Sequence, residues 1–79
     1  MDIKQFKKDS YRLPINTNNG WGFGGKIGTH YTLIVGDIEY SMFVGKFHYR
    51  HTGSSSANTW SIGGTYVSKK EFEQAIEKL

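Results

Sequence analysis

Tyr31-Thr32-Leu33-Ile34-Val35-Gly36-Asp37-Ile38-Glu39-Tyr40-Ser41-Met42 carries the clearest structural signal in the chain. Apolar residues recur at every second position on both sides of Gly36-Asp37, the period of a β-strand with one face buried. A two-residue Gly-Asp loop suits a type II′ hairpin, because glycine takes the positive φ at the first loop position. That register pairs Val35 with Ile38, Leu33 with Tyr40 and Tyr31 with Met42. All six side chains then share one face, as cross-strand packing requires. Ile34 with Glu39, Thr32 with Ser41 and His30 with Phe43 fall on the other face, which reads as mixed and wet.

Downstream, Gly45 interrupts the alternation. Unbroken pairing would carry Lys46, His48 and Arg50 onto the apolar side, and unpaired polar burial costs several kcal/mol in order of magnitude. A bulge at Gly45, or a turn opening a new strand, exchanges the faces. Phe47 and Tyr49 then join Ile38, Tyr40 and Met42, with the cations outward. Thr52 to Asn58 reads as a loop and Thr59-Trp60-Ser61-Ile62 as a strand ended by Gly63-Gly64.

Next comes a helix start: Ser68 as N-cap, Glu71 three residues on, and Val67 with Phe72 as a hydrophobic staple. Phe72, Ala75, Ile76 and Leu79 follow at helical spacing, which predicts a helix over 69–79 with an apolar stripe. Lys69 and Glu73 form a stabilising pair on its surface.

Upstream, Trp21-Gly22-Phe23 reads as a glycine-loosened strand, either at an edge or with a bulge. Pro14 stops any earlier helix. Residues 1–12 form either a short helix over roughly 3–9, capped by Asp2 with Gln5 three residues on, or a frayed basic arm. The sum is one α+β domain over 1–79: about four antiparallel strands packed by one C-terminal helix, with residues 1–12 as a short helix or a basic arm.

Seventy-nine residues leave no room for a second domain, and such a chain has a thin stability margin. With no cysteine, disulfides and thiolate metal sites are excluded, in keeping with a reducing compartment. No apolar run approaches the ~20 residues of a membrane span, and residues 1–8 lack the apolar core of a signal peptide. A cytoplasmic protein is expected, in the host cytoplasm if phage-encoded. The net charge of +3 permits contact with polyanions without requiring it.

Two glycine motifs resemble phosphate loops. Gly20, Gly22 and Gly25 match the spacing of a dinucleotide fingerprint, and Gly20 with Gly25-Lys26 matches most of a Walker loop. The latter needs Ser or Thr where Ile27 stands, and both need a following helix where a hairpin is expected. His48 and His51, three apart, point to opposite sides of an extended strand, so they form no metal pair there. None of the serines sits in a nucleophile elbow. No catalytic residue, metal or cofactor is assigned, and a small hydrolase or nuclease ranks third among the functions considered.

Two binding readings remain. Twelve aromatics exceed what one sheet face under one helix can cover. Surplus rings, with Trp21, Phe23, Phe43, Tyr49, Trp60 and Tyr66 as the candidates, suit a protein partner or a homodimer. Short cysteine-free chains rich in Asn, Lys and Gly are common among accessory proteins of phages and mobile elements. Many of those bind and block a host enzyme or defence system, and that is the concrete form of this reading. The alternative is nucleic-acid binding by the basic-aromatic segment, through Lys46, His48, Arg50 and His51 together with Lys4, Lys7 and Lys8.

Overall fold

The computed structural model describes residues 1–17, 24–49 and 53–79. The order of elements is α1 (Ile3–Asp9), β1 (Tyr11–Asn16), β2 (Gly25–Val35), β3 (Ile38–Tyr49), β4 (Gly53–Ser56), β5 (Thr59–Ile62), β6 (Thr65–Val67) and α2 (Lys69–Glu77). All strand pairs are antiparallel, and the sheet runs β1-β2-β3-β5-β6, with β4 also on β3. The α+β class is as expected, but the sheet has six strands where about four were expected.

The central hairpin has the register read from its alternation: Val35 opposite Ile38, Leu33 opposite Tyr40, Tyr31 opposite Met42. Gly36 has φ +62° and, among the described residues, none other than glycine has positive φ, the pattern of a II′ rather than a I′ turn. Both helices begin where capping chemistry predicts. Asp2 accepts from the Gln5 N–H, and Ser68 accepts from the Glu71 N–H. The side chain of Gln5 reaches forward to Asp9 instead of back to the cap. Lys69 and Glu73 approach to 3.8 Å. Leu79 lies past the end of α2 and stays exposed.

The helices lie together on one face of the sheet. Phe6 is the buried residue of α1, and its ring meets Phe72 of α2 edge-on, with centroids 5.1 Å apart. These two rings, Ile76, Tyr40 and Met42 form the core, flanked by Tyr31, Leu33, Trp60, Ile62 and Val67.

At Gly45 the structure overturns the sequence reading. β3 runs unbroken, with Gly45 opposite Gly28, Lys46 opposite Ile27 and Phe47 opposite Lys26. There is neither bulge nor turn. Lys46 and His48 therefore share the helix-bearing face with Tyr40 and Met42, while Phe47 and Tyr49 share the other face with Phe43. The reason is length. Twelve strand residues span about 40 Å, whereas the nine residues of α2 span about 13 Å. The molecule is correspondingly elongated, 42 × 21 × 21 Å. The helix layer ends well short of Lys46 and His48, which stay exposed. The burial penalty that argued for a bulge does not arise.

The glycine pair has a different task. The Phe43 ring lies across both residues: a Cβ on Gly28 would come within 2.7 Å of its Cζ, and one on Gly45 within 2.8 Å of its Cε1. β4 and β5 continue one line along β3 in a common register. At their junction Ala57 N–H donates to the Gly45 carbonyl, and Gly45 N–H donates to Asn58 Oδ1 at 3.0 Å. The Asn58 amide thus substitutes for a backbone acceptor where the ladder lapses.

Candidate functional site: the open sheet face

The second face of the sheet carries no helix among the described residues. Register assigns to it Tyr11, Leu13 and Ile15 of β1, Lys26, His30, Thr32 and Ile34 of β2, and Glu39, Ser41, Phe43, Phe47 and Tyr49 of β3. Tyr66 of β6 joins them. Much of the chain's exposed apolar surface stands here. Tyr66 is 79% exposed, Tyr11 72% and Ile34 65%, while Phe47 and Tyr49 are each 41% exposed. Tyr11, Leu13, His30, Thr32 and Ile34 line a groove of about 530 Å³ at the β1 side of this face.

Towards the far end of the sheet, Phe47 and Tyr49 form a tilted pair with ring centroids 6.4 Å apart. The Tyr49 hydroxyl lies 3.2 Å from Ser55 Oγ on β4. Phe43, at the centre, is only 3% exposed. Its ring rests on the glycine pair and is covered by the Lys26 ammonium, 4.0 Å from the ring centroid, a cation–π contact.

The structure sorts the expected contact residues. Tyr49 and Tyr66 are exposed on the open face. Phe43 is on that face but buried, so it supports the surface from beneath instead of presenting a ring. Trp60 is on the helix-bearing face, half-buried against the core, with its indole N–H buried and unpaired among the described residues. Trp21 and Phe23 lie outside the described residues. Sequence reasoning missed Tyr11, Leu13 and Ile34. The first two belong to β1, which Pro14 and the turn-like residues after it concealed; Pro14 is tolerated because β1 is an edge strand. The alternation alone puts Ile34 on the mixed face, opposite Glu39, but says nothing of its neighbours on β1.

The basic candidates separate in the same way. Lys46 and His48 are exposed on the helix-bearing face, while Arg50 and His51 lie outside the described residues. His30 and His48 occupy opposite faces, and among the described residues no three His, Asp or Glu side chains converge as metal ligands would. Lys4, Lys7 and Lys8 lie on α1, and Arg12 of β1 shares its sheet face with Lys46 and His48. Gly25-Lys26 opens a strand with no helix after it, unlike a phosphate loop. Among the described residues, no helix is long and apolar enough to cross a membrane. Comparison with protein-family models, with curated proteins and with solved structures finds no match for this chain.

Proposed function

We propose that this chain is a non-enzymatic binding module that grips a protein partner with its open sheet face. The groove between Tyr11, Leu13 and Ile34 is the observation that carries this reading. Three large apolar side chains stand together in water on the sheet face that carries no helix among the described residues. Each contributes roughly 1.5–3 kcal/mol when a partner buries it. The hydroxyls of Thr32 and Thr59 supply polar contacts between the apolar positions. Tyr66, Phe47 and Tyr49 extend the contact area, and tyrosine is a frequent interface anchor because it buries a large ring at small entropic cost. Inhibition of a host enzyme or defence protein is the concrete form of the proposal, with self-association as its simplest variant.

The test pairs the wild-type chain with a Tyr11→Ser, Ile34→Ser double variant. Both positions are exposed, so thermal unfolding of the variant is expected to stay within a few degrees of wild type. Wild-type chain on a resin is expected to retain a host protein from nuclease-treated lysate, and the double variant to lose it at least tenfold. Light scattering on the free chain shows whether a second copy is the partner. Capture that survives the double substitution, or that vanishes on nuclease treatment, contradicts the proposal.

A further inference from the structure

We propose that the opposite, helix-bearing side of the molecule holds a second site, a cleft between α1 and the sheet that binds the phosphate backbone of nucleic acid. The cleft measures about 600 Å³ and is lined by Lys4, Lys7, Lys8 and Arg12, with Asp2 and Gln5, around Tyr31. The Lys7 ammonium lies 5.8 Å from the Tyr31 ring centroid, and Arg12 Nε donates to the Lys7 carbonyl at 3.4 Å. Nothing in this inference depends on the open face.

One carboxylate, Asp2, also lines the cleft, so four cations stand there against one acid, and no ion pair joins them among the described residues. Asp2 accepts the Gln5 backbone N–H, and Asp9 accepts the Gln5 amide at 2.9 and 3.0 Å. Among the described residues the one ion pair is Lys69–Glu73, far along the chain on α2. None of the residues outside the described set is acidic, so they supply no partner either.

The sequence extends this pattern over the whole sheet. No Asp or Glu occurs between Asp9 and Asp37 or between Glu39 and Glu71. Glu39, at the start of β3, is thus the single carboxylate in six strands. From Arg12, the helix-bearing face continues to Lys46 and His48 without an acidic side chain.

An extended polyanion fits this arrangement better than a lone anion. Lys4 and Lys8 are one helical turn apart, about 6 Å along the axis, and Arg12 lies beyond the helix end. Along the backbone the cations therefore succeed one another in a line, from the first turn of α1 into β1. Such a line neutralises successive phosphates, and the counterions it releases make binding steeply dependent on salt.

Fluorescence anisotropy of a labelled 20-base-pair DNA duplex, with a single-stranded RNA of the same length in parallel, tests the proposal. Four cations, each neutralising one phosphate, give a loss of affinity for the duplex of about 150-fold between 50 and 200 mM salt. Lys4 borders Glu73 and Glu77 of α2, so the variant is placed at Lys7 and Lys8. Lys7→Gln with Lys8→Gln is expected to reduce the salt effect to about 12-fold. The control, Lys69→Gln with Lys70→Gln, removes the same charge from α2 and is expected to leave the slope unchanged, with circular dichroism confirming the fold of each. Absence of wild-type binding to either nucleic acid at 50 mM salt overturns the proposal. Equal slopes for the two variants overturn it as well, and so does retention on anionic vesicles without binding to duplex or RNA.

Discussion

Phe72→Ala is expected to destabilise the chain by about 3–5 kcal/mol, the range for deleting a fully buried ring. A domain of this size has roughly 4–12 kcal/mol to lose. The effect is placed at the top of that range by what Phe72 touches. It is fully buried and meets Phe6 edge-on, and Phe6 is the residue that fixes α1 to the rest of the protein. Removing the Phe72 ring opens a cavity between the two helices, and a helix as short as α1 does not persist without packing. Thermal unfolding followed by circular dichroism is expected to show a midpoint at least about 12 °C lower. A fall of under 4 °C would mean that the helices do not share one core with the hairpin.

Gly45→Ala is the second large effect. Alanine normally tolerates a strand at modest cost, yet a Cβ here would contact the Ile27 carbonyl oxygen, come within 2.8 Å of Gly28 Cα and press into the Phe43 ring. Two of those three neighbours are backbone, which a side-chain rotation cannot clear. Overpacking of this kind costs about 1–3 kcal/mol, occasionally more. Gly36→Ala provides the contrast. Gly36 has φ +62° but open space around it, so its cost is limited to the roughly 1–2 kcal/mol of a left-handed alanine. Urea unfolding of both variants is expected to rank Gly45→Ala as the more damaging. The reverse ranking would mean that β2 and β3 are not in close contact at the glycine pair.

The parts of this fold that were legible in the sequence are those governed by local chemistry. The II′ turn follows from Gly36-Asp37 between two alternating runs, and both helix starts follow from Asp2 and Ser68 as caps. The missed strands lack that local signal. Ser54, Ser55 and Ser56 have no apolar alternation, and β4 exists because β3 offers it a ladder. β6 has three residues and is held by β5. β1 contains Pro14, which reads as a stop until its place at the sheet edge is known.

The error at Gly45 was of another kind. It assumed that a face apolar at one end must be covered along its whole length. The observed lengths, twelve residues in β3 against nine in the more compact helix α2, show why it fails. The consequence for function is direct. The rings of Phe47 and Tyr49 belong with Tyr11, Lys26 and Tyr66, and the cations of Lys46 and His48 belong with Arg12. The basic-aromatic segment is therefore divided between the two faces.

That division rests on one-for-one pairing past Gly28 and Gly45, and cross-strand nuclear Overhauser contacts in the isotope-labelled chain measure it most directly. Unbroken pairing predicts backbone contacts of Lys26 with Phe47 and of Ile27 with Lys46, with the Lys26 side-chain protons shifted upfield by the Phe43 ring. Contacts of Lys26 with His48 and of Ile27 with Phe47 would mean an extra residue in β3. They would return Phe47 and Tyr49 to the side of Met42 and contradict the assignment of both faces.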